Sequence, residues 1–428
     1  MTASTSTKTQ IVSAMSKRRW QWLAFLGLFL GYWGSVFCRT ATEAVMPAMM
    51  QDKTIQFDKR TAGTMLACGN GAFILGKILC GVASESFGGT RVLTVSLLLV
   101  AFFAIAYARV FTASMLIGSY MLLKLFTAIW PAITKLLSAW FDKQDYGKVL
   151  GGMSIGFQAG SVIATVLIGS MLSRGLHWRT VVTIPAVAMV MIVCLKQFIL
   201  YESPSKLGLA PATRETESPA KQKPQDHPMD PMSVRQALVY MMETPVFWVV
   251  AVASMALSGV FELQIFMPLY FKEALHLTPG QAAQAAALAP AGAIVSLVIG
   301  GGLYDRLRRQ EKCIMISTFL LITVMCIGTL WQYKNIDVKL AVVVAFFLGF
   351  SVTTPFFLPI TIFYMSFGGK RHTPTVTGIL DCLGSLAAVV MDNLMGSFAW
   401  KDLFAVQLGC AVAGLVSLAL LLSSRHST

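Results

Sequence analysis

The sequence has few charged residues, and it lacks the short motifs of common nucleotide-binding and metal-dependent hydrolytic enzymes. Only 13% of its 428 residues are charged, whereas 56% are hydrophobic. It contains neither a Walker A motif nor an HExxH motif, so no residues support ATP binding of the usual kind or metal-assisted hydrolysis. Its eight cysteines show no CxxC or Cys/His spacing. We therefore expect buried thiols, no metal, no cofactor and no enzymatic activity.

Most of the sequence consists of long apolar windows. Between the sixth and seventh windows lies a polar stretch with six prolines, 202–231, which cannot bury a core and is typical of a flexible linker. We therefore predict an all-α membrane protein with twelve transmembrane helices in two six-helix halves. The windows lie at 20–43, 61–84, 91–110, 112–137, 149–172, 179–200, 245–271, 282–303, 313–332, 339–364, 374–396 and 401–424.

This plan divides the chain into five parts. The halves are 20–200 and 245–424, the cytoplasmic linker is 201–244, and cytoplasmic tails lie at 1–19 and 425–428. The formal net charge of +14 is spread over short loops, so membrane topology explains it better than nucleic-acid binding. More loop cations fall on the side of the N-terminus, which predicts that both termini are cytoplasmic. The compact loops favour a bacterial inner membrane, with an organelle membrane as the alternative.

Arg39 lies well inside the first apolar window. A charge at bilayer depth costs about 2.5–3.5 kcal/mol on insertion scales, so such a residue usually faces a wet cavity or a charged partner. Glu43 lies one helical turn later and is a candidate partner. Tyr32 lies two turns earlier on the same face, where its hydroxyl would reach the same anion. Two explanations stay open: an internal pair with Glu43, or an anionic substrate bound by Arg39.

Other polar side chains also fall inside the windows. Those of the first half, together with Gln264 of the second, are candidate substrate ligands, although the lysines also suit structural pairs and Gln158 suits helix packing. The two acids of the second half, together with Glu43, are candidates for proton coupling, because a low dielectric favours the neutral carboxyl group. The first-half residues are Lys77, Lys124 and Gln158, and those of the second half are Glu262, Gln264 and Asp381.

Two loops share a pattern in which an acid follows a glycine by four residues. One follows the second window and the other follows the eighth, which is typical of two parallel repeats. Glycine permits close helix approach, and the acid is expected to cap a neighbouring helix or pair with loop cations, locking one conformation. The residues are Gly81, Glu85 and Arg91 in the first loop, and Gly301, Asp305 and Arg306 in the second.

The whole chain resembles the major facilitator superfamily, and several stretches resemble its organophosphate:phosphate antiporters, the group of the glycerol-3-phosphate and glucose-6-phosphate transporters. The stretches are Gly31, Tyr32, Arg39, Met46 and Pro47 in the first window, DKRTAG and GKILCG around the second, IWPAITK at 129–135, and ESPSKLGL at 202–209. The resemblance implies an alternating-access carrier in which Arg39 and Lys77 bind phosphate. The chain departs from the family in its seventh window, which has no cation and offers Glu262 and Gln264 instead.

The sequence therefore predicts a secondary carrier of a small organic anion, with exchange of a phosphorylated metabolite for phosphate as the leading hypothesis. Proton-coupled transport of a carboxylate or sugar-like solute is one alternative, and a ligand sensor without transport is another. We expect a monomer in a lipid bilayer whose partners are the anionic substrate and either phosphate or a proton. The substrate would bind near the membrane midplane between the two halves.

Overall fold

The computed structural model describes residues 2–141, 145–209, 228–229, 231–304, 306–332 and 336–423, and their regular structure is entirely helical. A short 3₁₀ helix spans Pro204–Leu207. The α-helices are α1 Thr2–Ala44, α2 Met46–Met49, α3 Lys59–Phe87, α4 Gly89–Arg109, α5 Ala113–Thr127, α6 Trp130–Trp140, α7 Tyr146–Ser173, α8 Trp178–Ile199, α9 Val234–Glu243, α10 Pro245–Leu275, α11 Pro279–Ala286, α12 Leu288–Tyr304, α13 Arg309–Gln332, α14 Val338–Ser397 and α15 Trp400–Ser423.

Within these described residues, twelve helical segments are long and apolar enough to cross a membrane, which confirms the predicted all-α membrane fold. In chain order the spans are Lys17–Met49, Lys59–Phe87, Gly89–Arg109, Ala113–Trp140, Gly152–Ser173, Trp178–Ile199, Pro245–Leu275, Pro279–Tyr304, Arg309–Gln332, Val338–Gly368, Thr375–Ser397 and Trp400–Leu422.

The tenth and eleventh spans differ from the prediction of two separate helices, because both belong to the 60-residue helix α14. The chain nevertheless reverses along it. The Phe356 ring lies 5.4 Å from the Phe261 ring, and Met391 packs against Gly259. In a straight helix, positions 356 and 391 would lie roughly 50 Å apart, yet both contact the same turn of α10. The two spans therefore lie side by side against the seventh.

The fourth span is interrupted by a break between α5 and α6. Ala128 leaves helical geometry with φ −76° and ψ 49°, and Pro131 occupies the first turn of α6. Proline fits there because the first helical N–H groups have no intrahelical partner. The break places Trp130 beside Tyr32 of the first span, with their ring centroids 5.5 Å apart.

The chain forms two compact units. The first comprises Met1–Thr42, Ala72–Ala164 and His177–Ala220, and the second comprises Glu43–Gly71, Thr165–Leu176 and Lys221–Thr428. Their boundaries differ from the predicted halves, because 43–71 and 165–176 join the second unit. The division into a tail, two halves, a linker and a second tail stays a prediction, and its segments at 210–227 and 424–428 lie outside the described residues.

Helices in each unit approach one another at glycines. In the first unit, Gly76 of the second span packs against the carbonyl oxygen of Leu125 in the fourth, so that a side chain at Gly76 would clash with backbone. In the second unit, a Cβ at Gly63 would lie 2.6 Å from the carbonyl oxygen of Asp392 and 2.6 Å from the Cα of Gly396. Small residues permit such backbone contact between membrane helices.

Candidate functional site

Arg39 lies against an aromatic ring in the first unit. Its guanidinium carbon is 5.1 Å from the centre of the Phe157 ring, within the range of a cation–π interaction. The Tyr32 ring stacks on the same Phe157 ring at 5.7 Å. Tyr32 and Arg39 therefore share one partner, as their spacing of two helical turns predicts. Arg39 is half-buried, so part of its side chain is accessible.

Helix packing fixes the position of this group. The indole nitrogen of Trp33 donates a hydrogen bond to the carbonyl oxygen of Gly156, at 2.5 Å, which ties α1 to α7 one residue away from Phe157. Gly156 also accommodates the Phe29 ring in direct contact. The residues from Gly152 to Gly156 match the letters of a GxSxG motif, but they lie inside α7 and lack the strand-to-helix turn of a nucleophile elbow.

Lys77 and Lys124 share a second aromatic ring. The Lys77 Nζ lies 5.1 Å from the centre of the Phe73 ring, and the Lys124 Nζ lies 5.7 Å from the same centre. Lys124 is only 3% exposed, whereas Lys77 is half-buried. Two predicted substrate ligands, Lys77 of the second span and Lys124 of the fourth, therefore lie near the same Phe73 ring.

The spans of this unit are strongly cationic. Among the described span residues that belong to this unit, Glu85 in the last turn of α3 is the one acid, and it is exposed. Glu43, one turn after Arg39 in the same span, is assigned to the second unit. Arg39, Lys77 and Lys124 therefore place three positive charges at membrane depth in this unit. A positive potential in a low-dielectric region favours an anion. Gln158, next to Phe157, is 4% exposed, and its predicted contact with substrate stays a prediction.

The predicted acids lie in the second unit. Glu43 is buried, Glu262 is half-buried and Asp381 is exposed. Asp381 lies near Tyr364, whose hydroxyl bonds to Ser254. The coupling roles predicted for the three acids stay predictions.

Gln264 has an unsatisfied hydrogen-bond donor in the same unit. Its side-chain nitrogen is buried and has no hydrogen-bond partner within the described part of the chain. A buried donor without a partner costs the folded protein about 1–3 kcal/mol. The role of Gln264 as a substrate ligand stays a prediction.

Asp392 was not among the predicted site residues, although the structure buries it completely. The side-chain nitrogen of Asn70 donates to its Oδ2 at 2.8 Å. Asp392 lies inside the eleventh apolar window, as Asp381 does, so the criterion that selected Asp381 also applies to Asp392. Position along the window did not distinguish the exposed acid from the buried one.

The predicted capping or loop contact of Glu85 is not seen within the part of the chain that the structure describes, and it stays a prediction. Glu85 is exposed, and no hydrogen bond or ion pair joins it to another described residue. Glu202 performs the expected capping instead. Its carboxylate accepts hydrogen bonds from the backbone nitrogens of Gly89 at 2.7 Å and Thr90 at 2.8 Å. These are the first N–H groups of α4, whose N-cap residue, Gly88, has no side chain.

The environment of Glu202 favours its charged form. Burial alone would raise the pKa of this carboxyl group, but the N–H groups of Thr90 and Gly89 and the nearby Lys135 lower the pKa below its ordinary value. Lys135 also donates to the carbonyl oxygen of Ser84, so it connects the end of α3 to the cap of α4.

The other loop residues make no comparable contacts. Gly81 approaches only Pro131, at 4.0 Å from an added Cβ, and Gly301 has open space around it. Arg91 and Arg306 are exposed, and Asp305 lies outside the described residues. The locking role of both loops therefore stays a prediction.

The described part of the chain contains no group of three His, Cys, Asp or Glu residues able to hold a metal ion. The eight cysteines are free.

Comparisons with known proteins agree with this fold. The glycerol-3-phosphate transporter of Bacillus subtilis (strain 168) is 19% identical over 410 residues, covering 92% of this chain and 91% of that protein. The probable hexose phosphate transport protein of Chlamydia pneumoniae is 21% identical over 425 residues, covering 93% and 90%. A solved peptide transporter, POT in complex with sulfate, superposes with a TM-score of 0.71 at 15% identity, over 93% of this chain and 94% of that chain.

The chain also matches a protein family over most of its length. Residues 28–391, from the first span into the eleventh, match the Major Facilitator Superfamily. The twelve spans and this match together show that the chain belongs to the Major Facilitator Superfamily.

Proposed function

We propose that the protein is a secondary active transporter that moves a small phosphorylated metabolite across a membrane by alternating access. The observation that carries the proposal is the set of three cations, Arg39, Lys77 and Lys124, on two aromatic rings of the first unit. An organic anion with a phosphate group is complementary to these three positive charges, because phosphate carries up to two negative charges on one small group.

The chemistry of each group fits a phosphate ligand. The Arg39 guanidinium is planar and permanently charged, so it donates two parallel hydrogen bonds to neighbouring phosphate oxygens. The Phe157 ring packs against the guanidinium group and also stacks on the Tyr32 ring. The Tyr32 hydroxyl supplies a further hydrogen-bond donor. Lys77 and Lys124 act as point charges that offset the second negative charge of a phosphate dianion.

The relatives support the same substrate class. Two of them are named for glycerol-3-phosphate and for hexose phosphate, and their alignments cover nearly the whole chain. The chain retains cations at the first-span and second-span positions where its sequence resembles that group. We assign a phosphorylated metabolite to this protein on those two supports together.

Exchange against inorganic phosphate is the coupling mode that the cation set favours. Groups that hold the phosphate of an organic substrate hold free phosphate by the same contacts, so either anion satisfies the site. Proton coupling is the second candidate, and the observation behind it is the seventh span. That span offers Glu262 and the buried donor of Gln264 in place of a cation.

The protein is a multi-pass membrane protein, and we place it in a bacterial inner membrane with both termini cytoplasmic. The distribution of loop cations supports this orientation. We also propose that the transporter acts as a monomer.

An uptake assay in proteoliposomes tests the substrate. The panel comprises a hexose phosphate, glycerol phosphate, a dicarboxylate and a neutral sugar, each with and without phosphate inside the vesicles. The expected result is uptake of a phosphorylated compound that internal phosphate accelerates. Uptake of the carboxylate or sugar alone would overturn the proposal, as would ligand binding without any flux, which would favour a sensor.

A second arm separates the two coupling modes. Vesicles without internal phosphate receive a proton gradient, alkaline inside, in the presence and absence of a protonophore. Phosphate exchange predicts no accumulation under the gradient. Accumulation that the protonophore abolishes, and that Glu262→Gln removes, would instead establish proton coupling.

A further inference from the structure

A cavity of about 410 Å³ opens among the second, third and fourth spans, within the first unit. Its wall is mostly apolar, and Arg91 is its one charged lining residue. The lining includes Leu79, Ala83, Val92 and Phe126. The cavity lies apart from the rings that hold Arg39, Lys77 and Lys124, since neither Phe73 nor Phe157 lines it.

The cavity lies on a face of the unit that is rich in exposed apolar side chains. Leu79 is 58% exposed, Val95 is 55% exposed and Phe87 is 68% exposed, and all three line the cavity. Exposed apolar residues of this density on membrane-spanning helices face hydrocarbon. The close contact of Gly76 with Leu125, both lining residues, bounds the cavity where the second and fourth spans meet.

Arg91 lies at one end of this apolar surface, in the first turn of α4. It is exposed, and no other described residue forms a hydrogen bond or an ion pair with it. The end of α4 that carries Arg91 is the end predicted to be cytoplasmic. A ligand that fills the cavity must therefore be apolar along its length and negative at one end.

We propose that this cavity binds an anionic phospholipid, with an acyl chain along the apolar wall and the headgroup phosphate against Arg91. Charge complementarity selects an anionic headgroup, because basic pockets between membrane helices on the cytoplasmic side bind such lipids. The guanidinium donates two parallel hydrogen bonds to phosphate oxygens. The proposal concerns a lipid site and does not depend on which solute the protein transports.

Native mass spectrometry of the full-length protein in detergent tests this site. Phosphatidylglycerol and phosphatidylcholine with identical acyl chains are titrated separately, and the unfolding temperature is recorded for each lipid and for inorganic phosphate alone. Both lipids carry a phosphate group, but the choline cation of phosphatidylcholine offsets its charge. The expected result is that phosphatidylglycerol binds about fivefold more tightly, as roughly 1 kcal/mol per basic residue implies. The Arg91→Gln variant should lose this preference. The control variant Arg109→Gln, at the opposite end of the same helix and exposed, should keep it.

A second variant tests the apolar part of the site. Ala83→Phe places a ring in the cavity and should reduce binding of both lipids about tenfold, while its unfolding temperature without lipid stays near that of the wild type. Equal affinity for the two lipids, a preference that survives Arg91→Gln, or lipid binding unchanged by Ala83→Phe would each overturn the proposal. Stabilisation by inorganic phosphate that Arg91→Gln removes would also overturn it, since the site would then bind a free anion.

Discussion

Asn70 of the second span donates a hydrogen bond to the completely buried carboxylate of Asp392 in the eleventh span, with 2.8 Å between its Nδ2 and Oδ2. The contact is reinforced nearby. Gly63 packs against the backbone of Gly396, and the Lys59 Nζ donates to the carbonyl oxygen of Phe398 at 2.7 Å. The start of the second span is thereby fixed to the end of the eleventh.

Asn70→Ala should weaken this contact. It leaves a buried carboxylate oxygen without its donor, which costs roughly 1–3 kcal/mol. The expected result is a lower unfolding temperature of the purified protein. Asn393→Ala is the matched control, because Asn393 is exposed and its side chain bonds only within its own helix, to the carbonyl oxygen of Val389. If the two variants unfold at the same temperature, Asn70 does not stabilise this contact.

Glu202→Gln should destabilise the protein in a pH-dependent way. The neutral amide is a poorer acceptor for the first N–H groups of α4, and loss of a helix cap costs about 1 kcal/mol. Folding lowers the pKa of Glu202. Its stabilisation is therefore present above the unfolded-state pKa of about 4.3 and is lost as the pH falls through the lower folded-state value.

Thermal unfolding at pH 7 and at successively lower pH checks this prediction. The gap between wild type and Glu202→Gln should be largest at pH 7 and should close below about pH 4. Glu85→Gln is the control, since the exposed Glu85 has no bond to another described residue. A gap of constant size across this range would show that the charge of Glu202 is not what stabilises the cap.

Phe157→Leu should weaken anion binding without abolishing it. Loss of the ring removes the cation–π contact of Arg39, worth about 0.5–2 kcal/mol, and removes the surface that orients Tyr32. Phosphate affinity should fall roughly twofold to thirtyfold. Phe157→Tyr keeps the ring and should bind phosphate almost as the wild type does. Calorimetric titration of phosphate into the three purified proteins measures this, and equal affinities would show that the ring does not position Arg39.

The sequence predicts the fold well, for a physical reason. A helix that crosses a bilayer needs about twenty apolar residues, so one continuous stretch of sequence is enough to identify each span. A charged residue inside such a stretch, such as Lys124, is identified in the same way. The continuity of α14 through two spans was not predictable in this way. Lys370 and Arg371 indicated a loop between two apolar windows, whereas the backbone remains helical through them.

The partners of the charged residues were harder to predict. Phe73 and Phe157 are ordinary members of apolar spans, and only the packing of the helices shows that they lie against cations. Asn70 and Asp392 are separated by 322 positions, so no local pattern relates them. Glu202 begins the stretch ESPSKLGL, which resembles the antiporter family. Its capping of α4 depends on where the end of α8 lies in the fold, and no local pattern shows that position.

The most direct test of the account is organophosphate uptake by the Arg39→Lys variant in phosphate-loaded proteoliposomes. Lysine keeps the charge but cannot donate two parallel hydrogen bonds in a fixed plane. Uptake should therefore fall at least about tenfold, as the loss of one charge-assisted hydrogen bond implies, whereas the control variant Arg109→Lys should transport normally. Wild-type uptake by Arg39→Lys would contradict the claim that Arg39 binds the phosphate group through both donors.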